Sequence, residues 1–281
     1  MHWNSKLVSQ RGMFQVDLTP EAISAVYGGT VAVVGDVSAF IEAIMSEPNE
    51  LLSHLEAGRG VREEWNNGIR KLPRLYDAEN CLSDAIPIHP ARIVAELRRA
   101  MPRETVVLVD SGAHRAFAGQ YWESYEPRTY ISATNLGPMG WAIPAGVGVK
   151  IARPDRPCGV ITGDGCMLMH GLEIQTAARF NVPVIYVVIN NSAFGNVWLR
   201  ASKLGPEPSE LTSLPDHDWA TLAGALGLKS LTVRQPQEPA PAFQQALESK
   251  AAFLIDVKAD KRFETPVEPF KEAAKSWSYH E

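Results

Sequence analysis

Residues 158–191 read CGVITGDGCMLMHGLEIQTAARFNVPVIYVVINN, and the two ends of this stretch decide the fold. It opens with a short apolar run, Cys158 to Thr162, that stops at Gly163-Asp164-Gly165. It closes with a second run, Pro183 to Asn190 (PVIYVVIN), that stops at Asn190-Asn191. Both runs are continuously apolar and β-branched where a half-exposed strand would alternate. That pattern predicts strands buried on both faces, hence a parallel sheet with helices on both sides. Residues 168–180 predict the crossover helix between them. In such sheets ligands bind beyond the carboxyl ends of the strands, where the GDG and NN fall.

Working outward, the same alternation continues in both directions. Pro90–Ala100 predicts a helix, Thr105–Asp110 (TVVLVD) a strand and Met139–Ala152 a helix. Downstream come a helix over Asp218–Leu226, a short strand over Leu231–Arg234, a helix over Glu238–Leu247 and a last strand over Ala252–Val257. Near the start, Phe14–Leu18 and Val31–Val34 predict strands. Thr19-Pro20-Glu21 predicts a helix start, with Pro at the first position, and a further helix is expected over 38–45. Two strands and two helices are few for a self-sufficient domain, so this part is expected to be a partial Rossmann-like unit. Residues 48–87 are polar and rich in Arg, Glu and Asn, predicting helix and linker. The expected division is a remnant over 1–60, a linker over 61–85, the main α/β domain over 86–262 and a tail over 263–281.

Composition excludes several classes. A net charge of -5 and a pI near 5.8 argue against a nucleic-acid footprint. No stretch approaches 18 apolar residues, so no membrane span is expected, and the polar Met1–Gln10 shows no secretory signal. Cys81, Cys158 and Cys166 are odd in number and lack CxxC spacing, which favours free thiols in a reducing cytoplasm.

The chemistry concentrates where the fold places ligands. Residues 166–189 separate GDG from NN, so Asp164 and Asn191 stand at the ends of what can be neighbouring strands. A carboxylate, an amide oxygen and a nearby backbone carbonyl make a hard-oxygen half-shell, which Mg²⁺ prefers when phosphate oxygens and water complete it. Gly163 and Gly165 permit a tight turn and close approach of the backbone to a diphosphate, and the following helix presents its amino-terminal end to the anion. A lone GDG is common in turns; GDG and NN at this spacing, each ending a strand, are far more specific.

This segment resembles the thiamine diphosphate (ThDP) binding motif of the acetolactate synthase and pyruvate decarboxylase superfamily. The resemblance implies that Asp164 and Asn191 bind Mg²⁺ through side chains and Ala193 through its carbonyl. Asn135–Pro144 (NLGPMGWAIP) is similar to the family's GxMGxxxP segment, which implies Met139, beside Pro138, as the apolar wedge that bends the cofactor. Asp110-Ser111-Gly112-Ala113-His114 is similar to a strand-end loop that contacts the diphosphate, with His114 facing cofactor or substrate. Cys166 follows GDG, and Phe194 and Gly195 follow the NN turn, so they join the implied cofactor contacts. The resemblance runs from Phe14 to about Pro266, with QVDLTPEAI and VAVVGDVSAFIEAI matching the end of the family's central domain and 86–262 matching its diphosphate-binding (PP) domain. The family's pyrimidine-binding (PYR) domain, which carries the activating glutamate, has no counterpart in the match. That implies a PYR-domain subunit on a separate chain, in a hetero-oligomer such as a heterotetramer, acting on a small 2-oxo acid. Glu173, eight positions beyond GDG, reads as structural or as a support behind the cofactor contacts.

The chain also departs from the pattern. Cys166 replaces a frequent Ser, and S–H is a poor donor. Gly195 and Val197 match acetolactate synthases, but Arg200 falls where those enzymes carry a substrate-sizing Trp. Arg200 either pairs with the carboxylate of a larger acceptor or is a solvated helix charge. Trp198 is either the nearby aromatic or core. A dinucleotide-binding Rossmann reading fails at Gly146-Val-Gly148, which lacks the third glycine. A non-catalytic subunit that keeps the fold, and a fragment of a longer single-chain enzyme, stand as alternatives.

Overall fold

The computed structural model describes residues 13–23, 30–46, 53, 56–71, 75 and 77–266. The chain divides into two compact units, Met1–Arg74 and Leu75–Glu281. Most of the expected tail, from 267 on, lies outside the described residues, as does part of the expected linker. Among the described residues no helix is long and apolar enough to cross a membrane.

In the first unit β1 (Met13–Asp17) and β2 (Thr30–Val34) pair in parallel, with Phe14 opposite Val31 and Val16 opposite Val33. Asp36 Oδ1 accepts from the backbone of Ser38 at 2.8 Å and of Ala39 at 3.2 Å. It thereby pairs two of the N–H groups that a helix leaves unpaired at its start, and α1 (Val37–Ser46) follows. The helix expected from Thr19-Pro20-Glu21 is instead a single 3₁₀ turn, Pro20–Ala22, because Ile23 is already extended. Another helix, α2 (Arg59–Arg70), runs across the expected division between 60 and 61. No described residue of this unit with an assigned burial is fully buried, and Phe14, Val31, Val34 and Met45 are exposed.

The second unit holds a six-stranded, all-parallel sheet: β3 (Val106–Val109), β4 (Tyr130–Ser132), β5 (Cys158–Gly163), β6 (Val184–Asn190), β7 (Lys229–Val233) and β8 (Phe253–Lys258). Their order is β4-β3-β5-β6-β8-β7. Alternate residues of the central strands β3, β5, β6 and β8 enter two separate cores, which is why these runs carry no polar alternation. Val107, Val109, Ile161, Val187 and Ile255 pack with α3 (Pro90–Ala100), α4 (Ala113–Tyr121) and α11 (Pro239–Ser249). Leu108, Val160, Tyr186, Val188 and Leu254 pack on the other face with α5 (Ala142–Ala152), α7 (Ile174–Arg179) and α10 (Trp219–Ala225).

The structure corrects several expectations. The crossover helix begins at Asp164, not at 168, as α6 (Asp164–His170), and a 3₁₀ turn at Gly171–Glu173 separates it from α7. The helix expected from Met139 starts at Ala142, because Gly137 and Gly140 take positive φ (66° and 84°) and turn the chain first. The sequence reading passed over α4, β4, α8 (Gly195–Ala201) and α9 (Pro206–Leu211).

Gly146, in mid-α5, lets the helix lie directly on the sheet: a Cβ there would meet Val160 Cγ2 at 2.5 Å and Val184 Cγ1 at 3.3 Å. Both neighbours are buried, β-branched and stiff at χ1. Gly146→Val is therefore expected to lower stability by about 2 kcal/mol through overpacking. Gly148→Val, where a Cβ meets nothing within 4 Å, should not. Urea unfolding of the pair checks this; equal midpoints would contradict the close contact.

Candidate functional site

β4 lies on one side of β3 and β5 on the other, so the chain reverses its winding direction there. The crevice opened at the carboxyl ends of β3 and β5 is the expected ligand position in such sheets. A cleft at this place is lined by Ser111, Gly112, Ala113, His114, Met139, Gly163, Asp164, Gly165, Cys166, Asn191, Ala193, Phe194 and Gly195. Val197, noted in the sequence for its match to acetolactate synthases, lines it too, as do Ile189 and Asn196, which the sequence reading did not single out. Pro138 is exposed and does not line the cleft. Arg200, exposed on α8, does not reach it either, nor does Trp198. Glu173 is exposed, accepts from Thr176 Oγ1 at 3.3 Å, and lies outside the cleft.

Asp110, just past β3, ties the rim together. Its Oδ1 accepts from the backbone of Gly140 at 2.9 Å and of Ser111 at 3.1 Å, and its Oδ2 from Thr162 Oγ1 at 3.0 Å. Three segments are thus pinned by one buried carboxylate. Cys166 Sγ donates to Ser111 O at 3.3 Å, and burial pushes its pKa up to about 12, so it stays a thiol and serves the backbone.

The floor is built from glycines because the backbones and rings leave no room for a Cβ. One at Gly112 would stand 2.5 Å from His114 Cε1, and one at Gly163 2.9 Å from His114 Nδ1. One at Gly165 would meet the Phe194 ring at 2.7 Å and Met139 Sδ at 3.6 Å. His114 is buried, and its Nε2 has no hydrogen-bond partner among the described residues. Burial holds this imidazole well below its ordinary pKa, against the opposing pull of Asp110, so it is neutral at pH 7.

Asp164, 1% exposed, is the one carboxylate lining the cleft among the described residues. Its Oδ2 accepts from the backbone of Asn191 at 2.8 Å and of Ser192 at 2.9 Å, and its Oδ1 from Trp219 Nε1 at 2.8 Å. Burial raises its pKa while these three donors pull it back. The Asn191 side-chain amide comes within 3.3 Å of Asp164 Oδ2 and 3.2 Å of Ala193 O. With its nitrogen inward the amide donates to both oxygens. With its oxygen inward, the three oxygens face one another with no donor between them, and a cation would relieve that. Ser192, at φ 53°, turns the chain after β6, and Ser192 O accepts from Leu214 N at 2.8 Å. One carboxylate and two neutral oxygens suit a hard cation that brings its other ligands as water or phosphate. The residues present therefore fit a magnesium diphosphate.

Behind this set lies a layer that the sequence reading missed. Asn190 Nδ2 donates to Asp256 Oδ1 at 2.8 Å and to His217 O at 2.9 Å. Asp256 Oδ2 accepts from the Trp219 backbone at 3.3 Å and lies 3.1 Å from Lys258 Nζ. Asp256 is fully buried, which raises its pKa, while Asn190 and Lys258 hold it down. A signal was available: an Asp inside the apolar run FLIDV must be paired to be tolerated there.

Residues 110–257 match the family model described as thiamine pyrophosphate enzyme, C-terminal TPP binding domain. The probable acetolactate synthase large subunit of Methanococcus aeolicus is 25% identical over 256 residues, 88% of this chain and 43% of that protein. The acetolactate synthase isozyme 3 large subunit of Escherichia coli (strain K12) is 30% identical over 259 residues, again 88% and 43%. The chain thus spans about two fifths of the length of these curated relatives. Among solved structures, the thiamine diphosphate-dependent 4-hydroxybenzoylformate decarboxylase of Rhodococcus jostii RHA1 superposes with a TM-score of 0.58 at 25% identity, covering 63% of this chain and 34% of that one. A match over more than half of the chain, on a sheet whose switch-point cleft carries the motif, makes this chain a member of the thiamine pyrophosphate enzymes, bearing their C-terminal TPP binding domain.

Proposed function

We propose that the chain forms the diphosphate- and metal-binding half of an acetolactate synthase-like enzyme that decarboxylates a 2-oxo acid and ligates the resulting acyl unit to an acceptor. The observation that carries this reading is the convergence of the Asp164, Asn191 and Ala193 oxygens over a glycine floor. ThDP, when bound, supplies an electron sink for cleaving the bond beside a carbonyl. Asp164, Asn191 and the Ala193 carbonyl would hold Mg²⁺, and the Gly163–Cys166 backbone gives close approach to the diphosphate. Met139, half-buried beside Gly165, would support the cofactor from its apolar side. His114 Nε2, buried and unpaired, gains a partner only when a ligand oxygen or water reaches it.

Among the described residues Asp164 is the one carboxylate lining the cleft, and it accepts from three donors. We place the glutamate that would face the aminopyrimidine on a PYR domain of a separate chain, in a hetero-oligomer such as a heterotetramer. Three buried, unbridged cysteines fit a reducing compartment, the cytoplasm.

Calorimetric titration of ThDP into the chain, with and without Mg²⁺, tests the reading. Binding should require the metal and tighten when a PYR-domain partner is added. Pyruvate turnover should appear only in the mixture. Turnover by the pure chain would sink the divided site, and failure to bind under every condition would reject the cofactor role.

A further inference from the structure

We propose that Trp219 is a positioning residue that aims Asp164 at the metal, an inference that rests on the metal assignment above. Oδ1 of Asp164 accepts from the indole N–H of Trp219 at 2.8 Å. Oδ2 accepts from the backbone N–H groups of Asn191 and Ser192 and is the oxygen that stands beside the Asn191 amide. The indole donor therefore fixes the rotation of the carboxylate, and with it the direction in which Oδ2 faces the Asn191 and Ala193 oxygens.

Trp219 is itself held firmly. It is 4% exposed and opens α10, and its backbone N–H donates to Asp256 Oδ2 at 3.3 Å. Its ring stacks on His217, with centroids 4.8 Å apart and planes inclined by 28°. Asp218 caps the same helix end by accepting from Thr221 N at 2.8 Å. The ring does not line the cleft, so its effect on a ligand passes through Asp164.

The two alkaline-earth ions respond differently to such aim. Mg²⁺ demands near-ideal octahedral geometry, whereas Ca²⁺ accepts a looser set of six to eight oxygens. Losing the indole donor therefore costs Mg²⁺ more than Ca²⁺, a discrimination that loss of packing alone does not produce.

The test uses the full chain at excess ThDP, titrated calorimetrically with Mg²⁺ and separately with Ca²⁺. Trp219→Phe keeps a buried aromatic ring but removes the indole N–H together with part of the bicyclic ring. Its Mg²⁺ affinity should fall by roughly 10–100-fold, the usual consequence of removing a partner that orients a metal ligand. Its Ca²⁺ affinity should fall several-fold less. Trp219→Leu, which packs differently but also lacks the donor, should show the same loss of discrimination. Unchanged Mg²⁺ affinity, equal losses for both ions, or an effect confined to whichever variant melts lower would overturn the proposal. If the unaltered chain shows no metal-dependent binding, the metal assignment falls and this inference with it. If it binds and Trp219→Phe binds alike, only the role of Trp219 is refuted.

Discussion

Replacing Asp164 with alanine is expected to remove Mg²⁺-dependent ThDP binding, lowering affinity by more than about 100-fold, because the only charged oxygen of the proposed metal set disappears. The change also strands donors. The N–H groups of Asn191 and Ser192 and the Trp219 indole lose their shared acceptor, and each buried donor left unpaired costs about 1–3 kcal/mol. Asp164→Asn separates the two effects. The amide keeps the shape and one acceptor, but its NH₂ must face either the indole or the two backbone donors. Metal binding should be lost in both variants, with the asparagine variant the more stable in urea. ThDP affinity that stays metal-dependent and unchanged in Asp164→Ala would refute the assignment.

The second large effect is in acid. An unfolded histidine titrates near 6.5, whereas burial holds His114 far below that value and pushes His89 down to about 4, with Asp260 pulling the latter back up. Between these limits the unfolded chain binds protons that the folded chain refuses. The histidine contribution to stability is therefore complete above pH 6.5 and drains away as the pH falls. The slope for His114 approaches about 1.4 kcal/mol per pH unit, or about 2 kcal/mol between pH 6.5 and 5. Asp164 and Asp256 act in the opposite sense, since their raised carboxyls take up protons in the fold first and favour it as the pH drops toward the carboxylate range. His114→Gln isolates the imidazole: urea midpoints at pH 7, 6 and 5 should fall less steeply in the variant. Parallel slopes would show that His114 is not held neutral by burial.

The central strands were legible because burial on both faces leaves nothing polar to interrupt them: Val106–Val109, Cys158–Gly163, Val184–Asn190 and Phe253–Lys258 fall close to their expected places. The edge strand Tyr130–Ser132 was not, since three half-buried residues carry no run to recognise. The Ala113–Tyr121 helix was hidden because its residues, AHRAFAGQY, read as the continuation of a glycine loop. At the site, the spacing of GDG and NN predicted neighbouring strand ends, and Gly163 does pair with Ile189. The layer behind escaped notice because its members are remote in sequence. No local pattern announces that Trp219 will donate to Asp164, or that Asp256 will hold Asn190. Arg200 and Pro138 show the converse: proximity to a motif along the chain did not bring them into the cleft.

The bonds that shape the cleft join residues 30 positions apart at Asp110 and Gly140, 52 at Asp110 and Thr162, 55 at Asp164 and Trp219, and 66 at Asn190 and Asp256. Each closes a loop whose entropy is lost before the contact returns anything. The shape of the cleft therefore depends on contacts between segments remote along the chain. On the ribosome, a growing chain long enough to pair β3, β5 and β6 still lacks the carboxylate that holds Asn190 and the Trp219 backbone. That support arrives only once residue 256 has emerged.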